Sequence, residues 1–203
     1  MFALVDKSDN SITRMYSGNQ GITIGDNQYP KAIFSLWTES ERNAINIYEV
    51  TINTSKRKDE EWYINTDITY SFDGTNATGS YDDATAKAHA DTLFTEQDET
   101  DGLGTEGEVA TRGLKYKLIQ TVKAQAANEL ARTDWYVVRK TEESTAIPSS
   151  ITTHRRAVRS KQAAMETAIT NASDTPALET LYTYTTDSDG VHSRPLGEIP
   201  TLE

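Results

Sequence analysis

The stretch "ELARTDWYVVRKTEESTAIPSSITTHRRAVR", residues 129–159, decides how the second half of the chain is interpreted. A charged helical pattern stops there at Thr-Asp-Trp-Tyr, passes through a loop that contains Pro148, and restarts as a basic helix. Pro148 opposes helical continuation from the residue before it. Ser149 or Ser150 is the expected N-cap of the second helix. We therefore expect two helices joined by a folded loop.

Apolar residues recur at helical spacing on both sides of that loop. Each stripe needs a partner face before it can be buried, because isolated helices of this length are marginal in water. The pattern predicts an αα-hairpin over residues 112–173. The stripe before the loop is Leu114, Leu118, Val122, Ala126 and Leu130, and the stripe after it is Ile151, Val158, Met165, Ala168, Ile169 and Ala172.

Residues 1–82 predict a small antiparallel β-rich module with one short helix. "FALVD" and "SITRMYS" flank the polar turn "DKSDN" and predict a hairpin. Thr38 and Glu41 have the spacing of a capping box, which predicts a helix over 39–46 and then a strand at "IYEVTI". The strongest strand pattern is the alternation in "EEWYINTDITYSF". With the helical hairpin, these elements predict an α+β fold.

Residues 83–111 are predicted to be an acidic, glycine-containing linker, with a helix possible over 84–94. The part over 95–107 has too few apolar residues to offset the entropy lost on ordering. A calcium loop formed by Asp98, Asp101 and Glu106 is the alternative, although the EF-hand pattern is absent. Residues 174–203 predict a short helix over 176–183, a turn at "DSDG", and an extended tail.

The net charge of −11 is unevenly distributed along the chain. Residues 1–106 carry 8 basic and 19 acidic side chains, whereas residues 112–161 carry 11 basic and 4 acidic ones. The two segments are either solvated faces of opposite sign or surfaces that attract each other or neighbours in an assembly.

Several chemistries lack support in the sequence. There is no cysteine, so thiol catalysis and cysteine-ligated zinc are excluded. His89, His154 and His192 are too far apart to show metal-ligand spacing, and no nucleophile elbow or phosphate loop occurs. We predict no catalytic, cofactor or metal site and no membrane partner. Carboxylates could still meet in space, so a small host-modifying or enzymatic domain stays an alternative. No signal peptide is recognisable.

Trp135, Tyr136 and Arg139 are the first candidate partner-binding residues. In a structural interpretation, Trp135 plugs the open end of the helix pair and Arg139 pairs with Asp134 or Glu142. In a functional one, all three form an exposed anchor, because Trp, Tyr and Arg are the commonest hot-spot residues.

Arg155, Arg156 and Arg159 are the other candidates, since they lie within two turns of the basic helix. They could bind phosphates. However, the chain is acidic overall and lacks the aromatic platform of single-strand binders. The predicted partner of this face is therefore acidic protein, including the front half of this chain, and not nucleic acid.

The C-terminal half resembles the corresponding region of small tail-fibre assembly and tail-associated proteins of tailed bacteriophages. Those proteins share a Leu-x-x-Thr-Asp-Trp motif, a proline loop and an arginine-containing second helix. "MFALVD" and "LWTESERNAINIYEV" resemble the opening of the same proteins more loosely. The matching residues in the clear region, 110–172, are Leu130, Thr133, Asp134, Trp135, Arg139, Pro148, Arg155 and Arg159.

The resemblance implies a non-enzymatic phage tail protein that binds a tail-fibre or baseplate protein. It would act as a minor structural component or an assembly factor, in the virion tail or in the host cytoplasm during assembly. A transient tail-fibre chaperone that is absent from the mature virion is the alternative. Three- or six-fold homo-oligomers would match the symmetry of such particles.

Overall fold

The computed structural model describes residues 1–202, and the chain divides into two compact units at residues 85 and 86. The first unit is rich in strands and the second in helices, so the predicted α+β fold is confirmed. The boundary lies near the start of the predicted linker, and nearly all of residues 83–111 belong to the second unit.

A five-stranded sheet with the spatial order β2-β1-β5-β8-β7 forms the centre of the first unit. The β1–β2 hairpin is as predicted, but β5 pairs with β8 in parallel, so the sheet is mixed and not antiparallel throughout. In chain order the elements are β1 (Phe2–Asp6), β2 (Ser11–Tyr16), β3 (Ile22–Ile24), β4 (Asn27–Tyr29), α1 (Ile33–Leu36), α2 (Glu39–Ala44), β5 (Ile47–Asn53), β6 (Tyr63–Ile64), β7 (Thr69–Phe72) and β8 (Ala77–Ser80).

Both faces of this sheet are buried by apolar side chains. Phe2 and Ile47 belong to one cluster, whereas Ala3 and Tyr48 belong to another. Neighbouring strand residues point to opposite faces, so each cluster covers one side of the sheet. The core of the first unit is thus split into two layers, one on each face of the sheet.

The predicted capping box at the start of α2 is present. The Glu41 amide donates to Thr38 Oγ1 over 3.3 Å, and the Thr38 amide donates to Glu41 Oε2 over 2.7 Å. These reciprocal bonds satisfy two amides that have no partner inside the helix.

The single strand predicted from "EEWYINTDITYSF" is wrong, because the segment forms the two short strands β6 and β7. Asn65 lies between them, and its side chain bonds both the amide and the carbonyl of Lys58 at 2.8 Å. An asparagine side chain that binds backbone in this way competes with a sheet ladder. Ile64, on the supposed apolar face, is exposed.

The second unit contains four consecutive helices flanked by small two-stranded ribbons. β9 (Thr85–Ala86) lies at the boundary between the units. The following elements are β10 (Thr92–Leu93), α3 (Glu96–Thr100), β11 (Val109–Thr111), α4 (Leu114–Ala131), α5 (Asp134–Glu143), α6 (Ser149–Asn171), α7 (Thr175–Tyr182), β12 (Thr185–Thr186) and β13 (His192–Ser193).

The segment predicted to be a helix and a linker has a different structure. Residues 84–94 contain the strands β9 and β10 instead of a helix. Within 95–107, α3 begins with a capping box between Thr95 and Asp98, and Glu99 accepts a hydrogen bond from the Glu106 amide. The order of this segment therefore comes from carboxylates that bind backbone amides, which compensates for the shortage of apolar residues.

The helices α4 and α6 pack side by side in opposite directions, which confirms the predicted αα-hairpin. Lys115 Nζ donates to the Thr170 carbonyl over 2.9 Å near one end, and Glu129 bonds His154 over 3.0 Å near the other. The core between them consists of Val122, Ala126, Val158, Met165 and Ile169, which are almost fully buried.

Three local details of the helical region differ from prediction. The stretch after Thr133 is not a loop but the helix α5. α6 begins at Ser149 with Pro148 as its N-cap, so neither predicted serine is the cap. The tail is not simply extended, because β12 and β13 form a hairpin across the predicted "DSDG" turn. The predicted short helix is present as α7, capped by Asp174.

Candidate partner-binding surface

The turn between α4 and α5 is held by a buried threonine. Thr133 is fully buried, and its amide and its hydroxyl both donate to the Leu130 carbonyl over 3.0 Å. The chain therefore changes direction at the end of α4 without leaving that carbonyl unpaired. α5 begins at the next residue, Asp134.

Arg155, on α6, fixes this turn from across the hairpin. Its guanidinium donates to the Leu130 carbonyl over 2.8 Å and to Thr133 Oγ1 over 2.7 Å, and it pairs with Asp134 over 2.9 Å. Only 8% of Arg155 is exposed. We call Leu130, Thr133, Asp134 and Arg155 the α4–α5 joint. The Leu-x-x-Thr-Asp motif is thus bound by one arginine.

Glu129 forms a second buried polar centre beside the joint. Its carboxylate accepts hydrogen bonds from Arg132, from His154 and from the Leu202 amide, the last over 2.8 Å. The Leu202 amide, followed by Arg132 and His154, lowers the pKa of Glu129, while burial acts in the opposite direction. Glu129 therefore ties the chain near its C-terminus to α4 and α6.

The C-terminal segment, residues 194–202, lies against the helices of this unit. Leu196 is buried, its amide donates to the Leu181 carbonyl over 3.0 Å, and its carbonyl accepts from Lys161 Nζ over 2.8 Å. With the bond from Leu202 to Glu129, these contacts order a segment for which the sequence predicted only an extended course.

α5 buries none of its ten residues, unlike α4 and α6. Trp135 is 51% exposed and Val138 is 52% exposed, and Val137 is exposed as well. Trp135 therefore does not plug the end of the helix pair. A helix held at its first turn by the joint, with apolar side chains in solvent, is a surface that a partner can cover.

Trp135, Tyr136 and Arg139 contact one another on this helix, and we call them the α5 stack. The two ring centroids lie 3.9 Å apart. The Arg139 guanidinium lies 4.6 Å from the Trp135 centroid and 5.5 Å from that of Tyr136, within the range of cation–π attraction. Arg139 does not form the predicted pair with Asp134, which binds Arg155 instead.

The three arginines predicted to form one basic face lie in two environments. Arg155 is buried in the joint, which removes it from the exposed face. Arg156 and Arg159 are exposed on α6. The sequence could not separate them, because helical spacing places Arg155 and Arg159 on one side but does not reveal which arginine meets α4.

Acidic residues of the alternative calcium loop have local roles. Asp98 caps α3, and Asp101 accepts a hydrogen bond from Gln97 over 2.9 Å. Within residues 1–202, no three His, Asp or Glu side chains converge as a metal site would require. In the same range, no helix has the length and apolar character needed to cross a membrane.

The chain was compared with protein-family models, curated proteins and solved structures. None of them matches it. The function is therefore inferred from the α4–α5 joint, the α5 stack and the sequence motif that contains both.

Proposed function

We propose that this chain is a non-enzymatic phage tail protein that binds a tail-fibre or baseplate protein through α5. The observation that carries the proposal is a ten-residue helix with no buried residue that presents the α5 stack to solvent. Trp, Tyr and Arg dominate the binding energy of protein interfaces.

The shape of the surface favours a protein partner. An exposed helix that carries Trp135 and Val138 on one side suits a partner groove, in which anchors three or four residues apart are buried together. Both side chains are about half exposed, so each still has apolar area to lose on binding.

The resemblance to phage tail proteins supports the choice of partner class. The motif on which it rests includes both the residues of the α4–α5 joint and Trp135 and Arg139 of the stack. The joint sets the direction of α5, and α5 in that direction exposes the stack to solvent. One motif thereby contains a positioning part and a binding part, as an interaction module requires.

Affinity capture from phage-infected cells tests this proposal. The tagged full chain is the bait, and quantitative mass spectrometry identifies the captured proteins. We expect a tail-fibre or baseplate protein in fixed proportion to the bait, and less of it with Trp135→Ala. Capture that contains neither class of protein, or that is unchanged by Trp135→Ala, would overturn the proposal.

Purified virions separate the two versions of this function. A minor structural component is present at a copy number that is a multiple of three or six, because phage tails have that symmetry. A transient tail-fibre chaperone is abundant in the infected-cell lysate and absent from the particle. Both versions use the same α5 surface.

A further inference from the structure

Arg139 is a cation without an anion. Its Nε is buried and has no hydrogen-bond partner, and no ion pair or hydrogen bond holds its guanidinium within residues 1–202. The two rings of the α5 stack are its only specific neighbours. Among the described residues, four of the other six arginines of the second unit have carboxylate partners, and exposed Arg156 and Arg159 do not. The pairs are Arg112 with Asp91, Arg132 with Glu129, Arg155 with Asp134 and Arg194 with Glu198.

The environment of Arg139 defines the ligand that suits it. A guanidinium beside aromatic rings is partly desolvated, which strengthens its attraction for an anion. Its planar set of donors matches the two oxygens of a carboxylate. The Trp135 ring, which the guanidinium contacts, would exclude water from one side of the pair.

The charged side chains in the sequence around Arg139 also favour an acidic partner. Residues 112–161 carry 11 basic and 4 acidic side chains. Of those four, Glu129 and Asp134 are paired with arginines, and Glu142 and Glu143 follow Arg139 on α5. Exposed Arg156 and Arg159 have no carboxylate partner within residues 1–202. A partner surface that meets this region would be favoured if it were acidic.

We infer that the partner of α5 inserts an acidic segment, in which an Asp or Glu carboxylate binds Arg139 and a neighbouring apolar side chain packs on Trp135 and Val138. This inference rests on the proposed function and specifies the chemistry of the tail-fibre or baseplate segment. Arg139 is then the specificity residue of the surface and Trp135 is its apolar anchor.

Glu142 and Glu143 are the internal competitors that the test must control. They lie three and four residues after Arg139 on α5, spacings at which oppositely charged side chains can pair. Neither pair is formed, so the predicted contact of Arg139 with Glu142 is absent. If a partner carboxylate binds Arg139, Glu142→Gln and Glu143→Gln each leave binding unchanged or strengthen it.

The first experiment measures the dissociation constant between the full chain and the captured fibre or baseplate protein. Arg139→Gln is compared with Arg57→Gln, the same change at an exposed arginine of the first unit. We expect Arg139→Gln to weaken binding about 10- to 100-fold and Arg57→Gln by less than about 3-fold. Arg139→Lys restores only part of the affinity, because an ammonium lacks the planar donor pair. Thermal melting checks that each variant is folded.

The second experiment replaces each Asp and Glu of the partner's contact region with Asn or Gln. One replacement is expected to weaken binding as much as Arg139→Gln does, and the two changes together should add little. Independent, fully additive effects would contradict a direct pair.

The outcomes separate this inference from the proposed function. If Trp135→Ala weakens binding and Arg139→Gln does not, the acidic segment is wrong and the binding function stands. If neither variant weakens binding, both fail. Arg139-dependent binding to polygalacturonate without a protein partner would assign the site to an acidic polysaccharide. Arg139-dependent self-association in sedimentation would assign it to a second copy of this chain. Either result overturns the inference.

Discussion

Arg155 donates a 2.7 Å hydrogen bond to the hydroxyl of Thr133, which lies 22 positions earlier and is fully buried at the start of α5. The same guanidinium binds the Leu130 carbonyl at the end of α4. One side chain on α6 therefore holds the last turn of α4 and the first turn of α5. The direction in which α5 presents the stack depends on this contact.

Removal of Arg155 tests the joint directly. Arg155→Ala removes the buried donor to the Thr133 hydroxyl, one of three donors to the Leu130 carbonyl and the ion partner of Asp134, so we expect a loss of about 2–3 kcal/mol in the free energy of unfolding. Arg156→Ala, one position later and exposed, should change stability by less than about 0.5 kcal/mol. Urea unfolding monitored by circular dichroism measures both. Equal effects would mean that Arg155 is not a structural residue.

The hydroxyl of Thr133 can be tested apart from its volume. Thr133→Val keeps the shape but removes the group that accepts from Arg155 and donates to Leu130, and we expect a loss of about 1–2 kcal/mol. Thr133→Ser keeps the hydroxyl and loses a methyl group, at about 1 kcal/mol. Amide exchange in α5 should accelerate in the valine variant and much less in the serine variant. If Thr133→Ser lost more stability and exchanged faster than Thr133→Val, packing and not hydrogen bonding would hold the turn.

Glu129 predicts how stability depends on pH. Its pKa is lowered in the folded protein, so its stabilising contribution is complete above the unfolded pKa of about 4.3 and is lost as the pH falls through that value toward the folded pKa. Glu129→Gln should be less stable than the parent by about 1–2 kcal/mol at neutral pH. Unfolding measured from about pH 7 to about pH 3 should show this difference shrinking. If the stability difference between the parent and Glu129→Gln stayed constant with pH, ionised Glu129 would not be the stabilising group.

The elements that depend on local spacing were predictable from the sequence. The apolar stripes of α4 and α6 and the capping box at Thr38 each follow from residues three or four positions apart. The structure contains both helices and the capping box, because no contact with a distant part of the chain opposes them.

The features that the sequence did not predict depend on polar contacts or on residues far apart in the chain. α5 was not foreseen because Thr133 and Asp134 suit a turn, and the apolar residues Trp135 and Val138 span only about one helical turn. The order of residues 95–107 comes from carboxylates that bind backbone amides, which a count of apolar residues does not reveal. The role of Arg155 depends on contacts across the hairpin with Leu130 and Thr133, which no local pattern records.

The Trp135→Ala variant tests the central claim, that α5 is a binding surface and not part of the core. Trp135 is 51% exposed and loses its ring contacts with Tyr136 and Arg139, so we expect the free energy of unfolding to fall by no more than about 1 kcal/mol. The affinity for the captured fibre or baseplate protein should fall by about 2 kcal/mol or more, as for a hot-spot residue. Val137→Ala, on the same helix, is the matched control and should change affinity less.

The decisive measurement is therefore calorimetric titration of that partner with the parent chain and with Trp135→Ala, each shown by thermal melting to be folded. A binding surface on α5 predicts that Trp135→Ala lowers the melting temperature by no more than about 4 °C and the affinity by about 30-fold or more. Unchanged affinity, or a loss of affinity that only accompanies unfolding, would contradict it.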